Sequence, residues 1–563
     1  MPSQWNPNQP TFHLGINMAG AVSAGAYTAG VLDFLTEALE QWYAAKAVPS
    51  PVPQHDVSID IFSGASAGGM CAAISAVMLQ GPFQHIHSPA DATVQNTTNR
   101  FYESWVNKID IEPLLGADDL RNGGPVISLL DSTIIDQIAD YALTPLAAPK
   151  LPPYLSSSLT LFLTLTNVRG VPFSLNGNAP GSVEEDIAYY ADRLQFETVQ
   201  GTNNPTFAGA KPLPLGSSSG AWPLLKDAAK ATGAFPLFLA PRTISRIASD
   251  YLNSPWKALA DPSTPSVQPH WPLQANEAFA TLNVDGGVTD NDPFELAHDF
   301  LAVHNPLAAR DPDSGELQNP FTADKANCAV LTVAPFPARD LFNPGFDFST
   351  QSSIFAMIPS LFSVLVSQSR FQGETIEAVM SGTSFSRFVL APSDTQNPNL
   401  PALQCGLLGA FGGFFERGFR AHDYQLGRRN CQKFLRDSFR LAVTNPIIVA
   451  GLQRLNPADR TKAVAIFDPA HLNTLPIIPL CGTAVPEVTE PPRATIASAR
   501  VDQIINLVVQ RLHAVAAPLL ESAIGDGFKD AVVRTGVNAL ISTWGKDKVK
   551  TYLQQQLKDV TAG

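Results

Sequence analysis

The chain has 563 residues, of which 45% are hydrophobic and only 15% charged, with a net charge of −13. Such a composition can bury large cores and excludes a disordered chain, and the length corresponds to two to four domains' worth of core, or one large domain with additions. An acidic balance without basic stripes excludes nucleic acid as a partner, and it also excludes purely electrostatic capture by an anionic membrane.

The opening MPSQWNPNQP has neither a basic nor an apolar stretch, so no secretory signal is expected there. TFHLGINM alternates Phe12, Leu14 and Ile16 and predicts a strand. The small residues of AGAVSAGAY follow. Val31, Leu32, Leu35, Leu39 and Trp42 then recur at helical spacing. DVSIDIF predicts a second strand, and GGMCAAISAVML returns to a helical pattern after the turn SGASAG. Strand, helix, strand, helix in so short a stretch implies a βαβ unit and a parallel sheet.

Further along, DSTIIDQIADYAL predicts a helix capped by Asp131 or Ser132, and SLTLFLTLTNV a central strand covered on both faces. GAWPLLKDAAKATGAFPLFLAP reads as a short helix entering a loop, and residues 252–276 as a polar, Pro-rich excursion. AFATLNVDGG and ANCAVLTVAPF predict two more strands. Helical patterns dominate from about residue 340, interrupted by the Pro-rich PLCGTAVPEVTEPPRATIAS, and two or three amphipathic helices end the chain. The expected organisation is a catalytic unit over 1–340, a helical extension over 341–480, and a linker with helices over 481–563. No run of 18 or more apolar residues occurs, and the longest greasy stretch, Ile354 to Val366, is broken by Pro359, so no transmembrane helix is expected. The five cysteines have neither metal nor redox spacing and read as buried thiols in a reducing, cytoplasmic setting.

The chemistry lies in the turns. In SGASAGG, Gly64 and Gly68 flank Ser66 by two residues on either side, between a strand and a helix. A turn that sharp has no room for side chains at the flanking positions, and it presents the hydroxyl to the positive end of the helix. The alternative is an ordinary small-residue turn. A serine hydroxyl needs a base within reach. Asp285 ends a strand, and Gly286 and Gly287 let the chain turn away and leave its carboxylate presented. Asp292 and Pro293 predict a capped helix start just beyond. Ser66 and Asp285 are thus expected on one edge of the sheet, at the C-terminal ends of strands. Asp290 and Asp292 are expected to serve as caps. The amides of Gly20, Ala21 and Val22, opening the first helix, are candidates for an oxyanion hole. A dinucleotide phosphate loop is the rival there, but the GxGxxG spacing is absent.

These three elements in this order resemble the patatin-like phospholipases. GAYTAGVLDFL is similar to that family's helix opening, GASAGG to its nucleophile elbow, DGGVTDNDP to its DGG segment with a trailing Asn-x-Pro, and ATGAFPLFLAP to the segment between them. The resemblance covers residues 12–337 in outline. It implies a three-layer α/β/α fold with a mostly parallel sheet, in which Ser66 is the nucleophile and Asp285 the base of a dyad without histidine. It implies a phospholipid, lysophospholipid or other fatty-acyl ester as substrate, and no metal or cofactor. One departure stands out: the family's oxyanion loop carries a basic residue, whereas Gly20 to Gly25 has none.

A Ser–His–Asp triad using His298, His304 or His422 fits only on paper, because a single βα unit precedes Ser66. With an Asp base, activity should fall only as a carboxylate protonates, near or somewhat above about 4. The acyl chain has two candidate walls, Ile354 to Val366 and Gly406 to Phe415, although buried core is the preferred reading of both. FRAHDYQLGRRN, Phe419 to Asn430, is read as a charged helix packed on the core. The readings left open are a broad esterase or acyltransferase on the same site, a non-catalytic scaffold, peripheral membrane contact, and the oligomeric state.

Overall fold

The computed structural model describes residues 5–6, 9–88, 97–121, 125–175, 185–252, 268–312, 315–336, 384–398, 400–524, 546–558 and 560–562. The expected helical pattern over 353–382, which includes the Ile354 to Val366 candidate, lies outside them.

In chain order the main elements begin with β1 (Thr11–Met18), α1 (Gly25–Lys46), β2 (Asp56–Gly64) and α2 (Ala67–Met78). Next come α3 (Thr133–Ala142), β3 (Leu155–Leu175), β4 (Glu185–Val199), β5 (Lys211–Pro214), α4 (Trp222–Thr232) and β6 (Arg242–Ile247). Then follow β7 (Ala278–Asp285), α5 (Phe294–His304), β8 (Cys328–Val333) and β9 (Arg387–Leu390). The chain ends with α6 (Arg417–Asp437), α7 (Ser498–Ile524) and α8 (Lys546–Leu557). Among the described residues no helix is long and apolar enough to cross a membrane.

Nine strands form one sheet in the order β9-β8-β1-β2-β3-β4-β5, with β7 pairing β3 and β6 pairing β7. The run from β9 to β3 is parallel, β4 is antiparallel to β3, and β7 is antiparallel to both β3 and β6. Strand alternation sorts the two faces. Leu14, Ile16, Val57 and Ile59 join the larger core beneath α1 and α2. Ile61, Phe162 and Val330 face Phe294, Ala297 and Leu301 of α5 on the other side. The result is a three-layer arrangement. β9 comes from beyond residue 340, so the sheet draws on chain outside the expected catalytic unit.

α6 lies along α1, and glycine sets how closely. A Cβ on Gly30 would sit 1.9 Å from the Tyr424 carbonyl oxygen, and one on Gly427 would sit 2.3 Å from that of Tyr27. Beside this crossing, Arg428 is fully buried and donates to Asp33 and Glu37 of α1, each at 2.5 Å. The charged helix read over Phe419 to Asn430 runs from Arg417 to Asp437, and beyond it the helical pattern gives way to a strand, Arg440–Ala442, paired with Thr474–Pro476. α7 and α8 bring Ile504, Ile505 and Leu557 onto a second apolar cluster with Ile109, Leu114 and Phe414.

Candidate active site

β2 delivers Ser66 through a turn that few residues tolerate. Ser66 has φ 52° and ψ −127° and precedes the first turn of α2. A non-glycine residue there stores roughly 1–3 kcal/mol, held by the surroundings. The surroundings are tight: a Cβ on Gly68 would lie 2.0 Å from the Met18 carbonyl oxygen, and one on Gly64 would lie 2.6 Å from the Gly68 carbonyl carbon. The Ser66 N–H donates to Thr232 Oγ1 at 2.9 Å.

Asp285 arrives from the opposite direction. Gly64 pairs with Leu163 of β3, and Asp285 pairs with Leu165 two residues further on. Because β7 runs antiparallel to β3, the ends of β2 and β7 meet head to head. This corrects the expectation of a common parallel edge, since alternation identifies a strand without giving its direction. Ser66 Oγ donates to Asp285 Oδ2 at 2.6 Å, and the Gly287 N–H donates to Oδ1 at 2.8 Å. Gly286 is needed for contact, because a Cβ there would lie 2.2 Å from the Thr164 carbonyl oxygen. The Asp285 N–H donates to the Ala234 carbonyl at 2.9 Å. Thr232 and Ala234 at the end of α4 therefore hold both Ser66 and Asp285, a role that sequence pattern alone does not reveal.

Burial pushes the Asp285 carboxyl up to about 7, and the hydrogen bonds from Ser66 and Gly287 only partly oppose it. The sequence reading places it near or somewhat above about 4, and burial carries it further. The histidines are engaged elsewhere: His298 Nδ1 lies 3.3 Å from Asp299, His304 Nδ1 2.7 Å from the Phe300 carbonyl, and His422 Nδ1 2.8 Å from Asp423.

The loop after β1 is close enough to serve Ser66, since a Cβ on Gly20 would lie 3.1 Å from Ser66 Cβ. The Gly20 N–H itself, however, donates to the Asn291 carbonyl at 3.1 Å, so it is spent on the fold and the expectation that it is a free donor is corrected. The N–H groups of Ala21, Val22 and Ala67 have no acceptor among the described residues. Val22 takes φ 48° and lines the same cavity as Ser66. Asn291 was visible in the sequence only as the trailing Asn of the DGG segment. Its side chain wedges between the two glycine turns, where a Cβ on Gly20 would lie 2.1 Å from Asn291 Oδ1 and one on Gly287 would lie 2.5 Å from it.

Of the two aspartates expected as caps, Asp290 accepts locally from the Asp292 N–H, whereas Asp292 does other work. The Asp292 carboxylate accepts from Asn17 Nδ2, and α5 starts at Phe294 behind Pro293 without a side-chain cap. Burial and the neighbouring Asp292 push Asp290 up to about 7.

Ser66 and Asp285 open into a narrow cavity of about 80 Å³ that is continuous with solvent. Its walls are overwhelmingly apolar, with Met70, Ile74, Trp105, Ile138 and Phe235 among them. Phe411 and Phe414 of the Gly406 to Phe415 segment, whose preferred sequence reading is buried core, belong to this lining.

The sequence model of the patatin-like phospholipases matches residues 17–298, half of the chain, spanning the Gly20–Val22 loop, Ser66 and Asp285. The chain belongs to that family. An uncharacterized protein, y4iI, of Sinorhizobium fredii is 33% identical over 98% of this chain and 81% of its own length. The crystal structure of VipD from Legionella pneumophila aligns over 100% of this chain and 94% of its own at 11% identity, with a TM-score of 0.21, too low to compare the folds. The patatin-like match ends midway along α5, at His298, so β8, β9, α6 and the Phe411 and Phe414 wall all lie beyond it.

Proposed function

We propose that this patatin-like protein is a lipid acyl hydrolase working through a Ser66–Asp285 dyad. Ser66 Oγ attacks the ester carbonyl carbon while Asp285 accepts its proton. The carbonyl oxygen becomes an oxyanion, and the N–H groups of Ala21, Val22 and Ala67 at the start of α2 are the donors placed to hold it. Collapse breaks the bond to the alcohol, which leaves with the proton from Asp285, and the acyl group remains on Ser66. Asp285 then takes a proton from water, the hydroxide attacks the acyl carbon, and the fatty acid departs as Ser66 regains its proton.

The observation that carries this reading is the 2.6 Å bond from Ser66 to a buried, charge-averse carboxylate at the wall of an apolar cavity. A base titrating near neutrality is matched to proton transfer at working pH. The five buried free thiols support a reducing, cytoplasmic location, with lipid met at the periphery of a membrane.

The decisive experiment is hydrolysis of a p-nitrophenyl ester by wild type, Ser66→Ala and Asp285→Asn. Equal rates in all three would remove the catalytic reading. Fatty-acid release from phospholipid, lysophospholipid and neutral esters then separates a lipid hydrolase from a broad esterase, and transfer to added alcohols detects an acyltransferase.

A further inference from the structure

The segment FRAHDYQLGRRN has no part in the dyad, yet Arg420 and Asp423 within it are almost wholly buried, at 1% and 0% exposed. Both hold one short stretch of backbone, and Arg420 also faces Asp110 at 3.5 Å. Asp423 accepts from the N–H groups of Gln404 and Cys405 at 2.9 and 2.8 Å. One helical turn earlier, Arg420 Nη1 donates to the Gly413 carbonyl at 2.5 Å. The loop from 404 to 414 is therefore gripped at both ends by α6.

The middle of that loop needs gripping. Leu408, Gly409 and Ala410 take φ of 56°, 64° and 76°, three left-handed residues in a row of which two carry a Cβ. Such a run persists only where its surroundings over-determine it. Ser23 does so from the other side: its Oγ donates to the Ala410 carbonyl at 2.6 Å and accepts from the Gly413 N–H at 3.0 Å. Ser23 directly follows Val22, so the loop is tied to the oxyanion turn itself. Arg420 Nε also donates to the Val106 carbonyl at 3.1 Å, joining the loop to the segment that carries Trp105. Phe411 and Phe414 project from this brace into the cavity, and Phe411 packs against Phe235 with ring centroids 5.5 Å apart.

We propose that Phe411 and Phe414 are specificity-determining residues that limit the acyl chain admitted to Ser66, with Arg420, Asp423 and Ser23 as the positioning residues that hold them. The selectivity of the site is thus set by chain outside the family-matched half. This rests on the hydrolase reading, which makes the cavity an acyl site. Its apolar walls take an unsubstituted fatty chain, and the two rings occupy space that a longer chain would need.

The test uses the full chain and p-nitrophenyl esters of four, eight, twelve and sixteen carbons. Truncating either ring admits further methylenes, each worth about four-fold in relative kcat/KM. Phe411→Ala and Phe414→Ala should raise the sixteen-to-four-carbon ratio at least about ten-fold, through a lower KM for the long ester. Arg420→Lys keeps the charge but loses the fork to two carbonyls, and should move the ratio the same way while thermal melting shows the protein folded. Ratios within two-fold of wild type in both phenylalanine variants, with Ser66-dependent hydrolysis intact, would overturn the proposal. If wild type shows no Ser66-dependent hydrolysis, the hydrolase reading has failed separately. The wall is then read by displacement of cis-parinaric acid from Ser66→Ala protein. A shift in relative affinity for palmitate over octanoate on removing either ring supports the wall, and an unchanged preference overturns it.

Discussion

Ser66 and Asp285 are joined at 2.6 Å by strands that approach from opposite ends, one side chain leaving β2 and the other closing β7. The carboxylate gains little else to offset the loss of water, and burial holds it up to about 7. The ionised form is the base, so activity rises with pH through that value. A kcat/KM profile on a short ester from pH 4.5 to 9 should show half-maximal activity at about 7 and a ten-fold fall per unit below it. A midpoint near 4 would show an aspartate that burial does not raise, and a profile flat down to pH 4.5 would give the same answer.

The same burial sets a stability cost. Between the ordinary carboxyl value of 3.8 and about 7, the folded protein keeps a proton that the unfolded chain has released. Stability therefore falls as pH rises through that window. Asp285→Asn removes the ionisation and should stabilise the protein at pH 8 by up to about 4 kcal/mol, with the gain vanishing at pH 4. Activity should drop roughly 10²–10⁴-fold. Thermal melts at the two pH values, paired with esterase rates, measure both effects.

Arg428 is the opposite case, a buried charge with partners. Burial alone would push Asp33 up, but Arg428 and then His85 overcome it and hold it down to about 2. Arg428→Ala takes the guanidinium from two buried carboxylates, leaving Asp33 with His85, and should cost about 3–5 kcal/mol in urea denaturation. Asp33 contributes its stability fully above 3.8 and loses it as pH falls through about 2. The gap between variant and wild type should therefore narrow in strong acid.

Gly30→Ala probes the α1–α6 crossing. The obstacle to its Cβ is a backbone oxygen 1.9 Å away, which cannot turn aside as a side chain can. The helices must separate, at a cost of about 1–3 kcal/mol or more. Because α6 braces the 404–414 loop, the long-to-short ester ratio should rise along with the loss of stability. A lower melting temperature with an unchanged ratio would show that the crossing and the wall are independent.

Local pattern made much of this legible. Alternation at Phe12, Leu14 and Ile16 and small residues around Ser66 were enough to place β1, β2 and the elbow. The DGG turn was enough to nominate Asp285. What stayed hidden depends on residues distant in the chain. The direction of β7 is fixed by pairing with β3, the Gly20 N–H is claimed by Asn291, and the Asp285 environment is assembled from β3, α4 and the elbow. Polar alternation in 185–199 and 242–247 gave no strand signal, although β4 and β6 lie there. The helix carrying Arg420 and Asp423 reads from sequence as packed on the core, as it is, but nothing near them announces the loop they hold.

β1 has its two neighbours from very different times in the life of the chain. β2 follows within some forty residues, whereas β8 pairs with β1 in parallel from Cys328 to Val333. At about 5–20 residues per second on a ribosome, tens of seconds separate the emergence of one neighbour from that of the other. During that interval the flank of β1 that will receive β8 is an open hydrogen-bonding edge, the kind that invites misplaced pairing. Synthesis of this protein therefore places a demand on nascent-chain chaperones, and slowing translation should increase the aggregated fraction rather than reduce it.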